Sequence, residues 1–94
     1  MGFEWDENKN TVNQLKYSVS FETAKLAFSD PKRVIVHDRS HSLTEDRYFC
    51  YGKVDGLVLT VRFTYRQGKN IRIIGAGRWR EGRDVYESHN NPKA

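Results

Sequence analysis

Apolar positions change their spacing once along the chain, from helix-like in the first third to strand-like alternation afterwards. Phe3-Glu4-Trp5 reads as a short strand or arm. Asp6 supplies a helix N-cap with Glu7 at the positive end of the helix dipole, which predicts a helix over 7–17 with Val12 and Leu15 as its inward stripe. Ser20 repeats the capping signal. Val19 before it and Ala24 after it form a small hydrophobic staple, and Phe21, Ala24, Ala27 and Phe28 share one face of a second helix over 21–29. Asp30-Pro31 ends that helix, because proline lacks the amide hydrogen a helix interior needs.

Four strand-like runs follow, at 33–38, 47–54, 57–65 and 70–78. In the third, Leu57, Leu59, Val61, Phe63 and Tyr65 fall on one face and Val58, Thr60, Arg62 and Thr64 on the other. Asp55-Gly56 is a two-residue hairpin signal, and it pairs Val54 with Leu57, Cys50 with Val61 and Tyr48 with Phe63. The next loop is decided by parity. A two-residue turn at Gln67-Gly68 pairs Phe63 with Arg72 and buries the charge, whereas a three-residue loop, Gln67-Gly68-Lys69, pairs Phe63 with Ile73 and Thr64 with Arg72. The three-residue loop is expected, with Gly68 at positive φ. Arg47, Arg62 and Arg72 then share one sheet face with Phe49, Tyr51, Lys53 and Ile74. A C-terminal helix over 80–88 is weakened by Gly82, by about 1 kcal/mol relative to alanine, and 89–94 reads as a frayed tail. The expected architecture is α+β: two N-terminal helices packed on a mainly antiparallel four-stranded sheet, then a short C-terminal helix.

Composition narrows the class. The 94 residues suit one domain, 1–94. Twelve aromatics set the chain apart from disordered sequences. No apolar run approaches the roughly 20 residues of a membrane span, and the acidic, polar start MGFEWDENKN is no signal peptide. A cytoplasmic location is the expectation, without membrane association. A lone cysteine, Cys50, excludes an internal disulfide and a cysteine-based zinc cage, and reads as a core residue.

Charge is informative once it is divided. Residues 1–47 carry seven Lys/Arg against eight Asp/Glu, and residues 48–94 carry nine against four. Six arginines and Lys69 lie between Arg62 and Arg83 with Glu81 as the one acid. Guanidinium groups bind phosphate through paired hydrogen bonds, so this half favours a polyanion, although a solvated basic surface has the same composition.

Basic side chains interleaved with aromatic rings suit RNA, whose phosphates meet cations while unpaired bases stack at about 1 to 3 kcal/mol each. Lys25, Arg47, Phe49, Tyr51 and Lys53 are the candidate RNA-binding residues. His37 and His41 are four apart, but HDRSH lacks the glutamate of a zinc hydrolase motif, and GKVDG, GKN and GAG fit no nucleotide-phosphate loop; neither a metal nor another cofactor is expected. RNA cleavage by the neighbouring 2′-hydroxyl needs only a proton acceptor, a proton donor and positive charge for the phosphorane. His41 and Glu45 are the candidates for proton transfer, and Arg62, Arg72 and Arg78 for holding phosphate. The alternative is a non-catalytic module that uses the same basic face to bind nucleic acid or a protein.

Several segments resemble the BrnT toxins, small bacterial ribonucleases with a RelE-like fold. They are FEWDENKN at 3–10, SFETAKLAFSDP at 20–31, HSLTEDR at 41–47, VRFTY at 61–65 and IRIIGAGRWREGRDVYE at 71–87. The resemblance implies a toxin that cleaves RNA and is paired with a BrnA-like antitoxin encoded beside it. That antitoxin carries a ribbon-helix-helix part, so operator DNA is reached only through the complex. The matching polar positions are Trp5, Asp6, Lys9, Asn10, Lys25, His41, Glu45, Arg47, Arg72, Arg78, Arg83 and Tyr86. One departure stands out: Gly75-Ala76-Gly77-Arg78 has a residue more than the Ser-Ala-Arg ending of many members, which bears on where Arg78 sits.

Overall fold

Asp55 and Gly56, both at positive φ, close the first hairpin with Val54 opposite Leu57, and the second hairpin has the three-residue loop that parity demands, with Tyr65 opposite Ile71 and Gly68 at φ 84°. The computed structural model describes residues 2–92. In chain order it contains β1 (Phe3–Glu4), α1 (Glu7–Tyr17), α2 (Phe21–Ala24), β2 (Val34–His37), β3 (Tyr48–Val54), β4 (Leu57–Arg66), β5 (Asn70–Gly77) and α3 (Arg80–Asn90). The sheet order is β1-β5-β4-β3-β2.

The sheet and the second helix depart from expectation. The sheet has five strands and is mixed, because the N-terminal arm pairs parallel with β5, Phe3 opposite Ile71 and Glu4 opposite Arg72. The second helix is one α-turn that tightens into a 3₁₀ turn, Lys25–Ser29. Its buried residues explain the tightening: Phe21, Ala24 and Ala27 are three apart, and three residues per turn keeps them in one line against the sheet. That line packs on Cys50, Leu59, Val61, Phe63, Ile71, Ile73 and Ala76 to form the main core. Burial pushes the Cys50 thiol up to about 12, in keeping with its expected core position. Ile74 is the extra residue of a bulge, since Phe63 faces Ile73 while Arg62 faces Gly75. The bulge returns Ala76 to the core face, where an unbroken register points it outward.

The opposite, outer face carries Val34, Tyr51 and Val58, and α3 lies across them through Val85 and Tyr86. Gly82 is what permits this approach: a Cβ there would fall 2.0 Å from Thr60 Oγ1 and 3.1 Å from the Tyr51 ring. The residue that weakens the helix locally is therefore required by its packing, and α3 runs two residues further than expected, to Asn90. The last two residues of the expected tail, 93 and 94, lie outside the described residues.

Tyr86 also ties α3 to the turn after the 3₁₀ segment, its hydroxyl donating to Asp30 Oδ2 at 2.6 Å. Burial pushes the Asp30 carboxyl up, but hydrogen bonds from Tyr86 and from the Lys53 and Lys32 amides outweigh it and hold the group below its usual value. A carboxyl lowered in the folded state stabilises above its unfolded pKa, about 4, and the contribution is lost as pH falls through the lowered value. Tyr86→Phe should therefore destabilise by about 1–2 kcal/mol at pH 7 and by less at pH 3. Urea unfolding of both proteins at both pH values checks this, and an equal difference at the two would contradict it.

The largest departure concerns α1. Val12 and Leu15 are not its inward stripe; they are 50% and 82% exposed, and Asn10 and Asn13 are buried instead. β1 covers only Ile71 and Arg72, so the edge of β5 near Ala76 lacks a strand partner, and a buried backbone amide and carbonyl must be paired. Asn13 does this. Its Nδ2 donates to the carbonyls of Ala76 and Val19 at 2.9 Å each, and its Oδ1 accepts from the Ala76 amide. Asn10 Oδ1 accepts from the Phe21 amide at 2.9 Å, joining α1 to α2.

Candidate active site on the open sheet face

Because α3 covers only one end of the outer face, the other end stays open, and strand pairing sets its residues in rows. One row runs Val36–Phe49–Arg62–Gly75. In the next, Thr64 faces Arg72, and the Asp38 amide donates to the Arg47 carbonyl at 2.8 Å. Arg47, Phe49, Arg62 and Arg72 thus share a face, as the alternation requires.

Asp38 is the centre of the open end. It is 6% exposed, and Oδ2 receives His41 Nδ1 at 3.0 Å and lies 3.9 Å from Arg62 Nη2. An ionised carboxylate only accepts, so Nδ1 of His41 donates to it, and in the neutral form of the ring Nε2 holds the lone pair. The imidazole itself is 58% exposed, which leaves Nε2 open to a bound molecule. Arg62 Nε is buried without a partner among the described residues. A buried carboxylate is stabilised only by such pairing, and here the pairing orients one imidazole and one guanidinium together.

The connection that carries His41 is pinned through Ser42, whose hydroxyl donates to the Asp38 carbonyl at 2.6 Å and accepts from the Arg47 amide at 3.0 Å. A short 3₁₀ turn, Arg39–His41, places the histidine three residues after its carboxylate. Thr64 Oγ1 fixes the far end by donating to the Asp46 carbonyl at 2.6 Å. His37 pairs with Asp46 at 3.1 Å, but that aspartate is exposed.

The other candidates are distributed around this centre. Glu45 lies 3.2 Å from Arg66 and 3.6 Å from Arg47, so its carboxylate is shared between two arginines. Arg72 is tied to Glu4 of β1 at 2.8 Å. Arg78 stands apart, lining a groove with Arg80, Arg83 and Trp79 beyond the end of β5. Of the expected RNA-binding residues, Arg47 and Phe49 border the open face. Tyr51 is buried beneath α3, because Gly82 lets the helix settle on it. Lys53 Nζ sits over the Tyr86 ring at 5.8 Å. Lys25 pairs with Glu22 at 3.4 Å in the layer on the opposite side of the sheet, since its neighbours Ala24 and Ala27 enter the main core.

Sequence reasoning missed Asp38. The signal was present, since extending the alternation of Val34 and Val36 by one step puts Asp38 on the face of Phe49 and Arg62, and His41 follows at i+3. It also missed the groove of about 340 Å³ between α1 and this face, where Lys9, Lys16 and Arg62 surround Val12, Tyr17 and Ile74. The exposed apolar side of α1 is one wall of that groove. Among the described residues no group of three or more His, Cys, Asp or Glu is arranged to hold a metal ion, and no helix is long and apolar enough to cross a membrane.

Comparison with known proteins places these features in context. A family model described as the ribonuclease toxin BrnT of type II toxin-antitoxin systems matches residues 5–82. The crystal structure of the Brucella abortus ribonuclease toxin BrnT is similar, with 18% sequence identity and a TM-score of 0.65, over 84% of this chain and 96% of that one. No curated protein matches.

Proposed function

The chain belongs to the BrnT family of ribonuclease toxins of type II toxin-antitoxin systems, and on that premise we propose that it cleaves RNA at the open sheet face, with Asp38, His41 and Arg62 as the reacting centre and the whole chain as one toxin domain. The observation that carries this reading is the buried Asp38 carboxylate with His41 at 3.0 Å and Arg62 at 3.9 Å.

In this reading His41 Nε2 accepts the proton of the 2′-hydroxyl as that oxygen attacks the adjacent phosphorus. The bond to the 5′ oxygen breaks, the leaving oxygen takes a proton from water, and the products end in a 2′,3′-cyclic phosphate and a 5′-hydroxyl. Asp38 keeps the imidazole in the required tautomer and stabilises the imidazolium that forms. Arg62 lies against the charge that grows on the phosphorane, where a guanidinium fork suits two phosphate oxygens. Glu45 is a positioning residue that holds Arg47 and Arg66. Arg47 and Arg72 extend the positive face for the flanking phosphates, and Arg78, with Arg80 and Arg83, takes phosphates further along the strand.

Each proton and charge in this scheme is handled by a side chain or water, so the activity should persist in EDTA. Incubating the purified protein with RNA and EDTA is the test. Cleavage is expected, and intact RNA at a protein concentration that binds it would contradict the scheme. The partner that restrains the toxin is a BrnA-like antitoxin with a ribbon-helix-helix part, which covers the basic face and brings the pair to operator DNA. The cell compartment is the cytoplasm, where its RNA substrate lies.

A further inference from the structure

Beside the reacting centre, at the boundary where α3 meets the open face, lies a pocket of about 290 Å³ lined by Phe49, Tyr51, Thr60, Trp79, Glu81 and Gly82. Phe49 is the strand partner of Arg62, and Tyr51 of Thr60, so the pocket is one step along the ladder from Arg62, about 7 Å. We infer that this pocket binds one unpaired nucleobase of the RNA, next to the phosphate held at Arg62, and that Glu81 selects which base enters. The inference rests on the ribonuclease reading above and adds its base specificity.

Four observations support it. The volume falls just below the roughly 300–1,000 Å³ range of small-molecule pockets and suits a single ring system. Its walls are aromatic: Phe49 and Tyr51 stack at 5.9 Å with 21° between planes, and Trp79, held edge-on by Tyr17 at 5.1 Å, is 42% exposed. At its floor Thr60 is 6% exposed, with an Oγ1 that has no partner among the described residues. A buried hydroxyl without a partner costs stability, and this one belongs to a residue that lines the pocket, beside Gly82. Lastly, Trp79 lies between two cationic grooves. Arg78, Arg80 and Arg83 line one, and Lys9, Lys16 and Arg62 line the other, joined through Tyr17. A strand whose phosphates follow the two grooves presents a base to the indole.

Tyr51 shows how close the pocket is to the centre. Burial raises its phenol above the usual value, and the negative charges of Glu81 and Asp38 raise it further. Glu81 is the one charged side chain in the pocket wall, and a carboxylate accepts hydrogen bonds only. It favours a base that presents an amino group, such as cytosine, over uracil, whose carbonyl stands in the same place.

The test uses the full chain with Trp5→Phe, which leaves Trp79 as its one tryptophan, and 2′-O-methyl hexamers of cytidine and uridine, which have no free 2′-hydroxyl and cannot be cleaved by internal attack. Saturable quenching of the indole by the cytidine hexamer is expected, with uridine about tenfold weaker. Glu81→Gln should bring the two within about twofold. Unquenched emission while the cytidine hexamer binds by anisotropy would overturn the inference, as would an unchanged preference in Glu81→Gln. Because nothing is cleaved, these outcomes are independent of the catalytic reading. A protein that cuts RNA yet shows no quenching loses the pocket and keeps the reaction.

Discussion

Replacing His41 by alanine should lower the RNA cleavage rate by about a hundredfold to ten-thousandfold, the range over which positioned proton transfer contributes, while leaving the fold intact. The imidazole is more than half exposed and touches the protein through one hydrogen bond, to Asp38, so its removal opens no cavity. Asp38→Asn should also slow cleavage, because an amide nitrogen turned toward Nδ1 no longer fixes the tautomer. Its effect on stability differs: Asp38 is buried and pairs with Arg62 as well. Single-turnover cleavage rates beside melting temperatures separate the two roles. A His41→Ala protein that cleaves within about threefold of the parent, far inside the expected range, would remove the imidazole from the mechanism.

Asn13→Ala should destabilise the protein by about 3 kcal/mol, because it takes away both donors and the acceptor that satisfy Ala76 and Val19 and leaves those buried backbone groups unpaired. At 4–8 °C per kcal/mol for a domain of this size, the melting temperature falls by roughly 12–24 °C. Asn13→Asp should be of similar severity, since it sets an acceptor against two carbonyl oxygens. Leu15→Ser should change stability by less than about 0.5 kcal/mol, as is usual for an exposed position. Urea unfolding of the three variants discriminates this account from one in which α1 is held by an apolar stripe. The stripe account predicts that Leu15 costs more than Asn13.

These two sites show where the sequence was legible. Strand pairing followed from period-two alternation and turn chemistry, both local, which is why the Asp55-Gly56 hairpin, the three-residue loop and the shared face of Arg47, Arg62 and Arg72 could be read from residue order. The inward side of α1 could not be. Asn13 is buried because a two-residue β1 leaves the β5 edge short of partners at Ala76, a condition set by residues more than sixty positions away. Gly82 was legible only as a weak helix position, because its reason is the Thr60 and Tyr51 surface beneath it. The bulge at Ile74 shifted the parity of the last strand, and Arg78 lies beyond the strand's end, away from Arg62. In the site, His41 was found from its neighbours, but Asp38, its hydrogen-bond partner, became visible only when the end of β2 was placed beside Arg62.

The proposed mechanism is internal attack by the 2′-hydroxyl at the Asp38–His41–Arg62 arrangement, in a chain of the BrnT family. The ends of the cleaved RNA report it most directly. Mass spectrometry of fragments produced by the purified protein should find a 2′,3′-cyclic phosphate on one side of each cut and a 5′-hydroxyl on the other, with both lost in His41→Ala. Fragments that carry 3′-hydroxyl and 5′-phosphate ends would mean that water is the nucleophile, and would contradict the account.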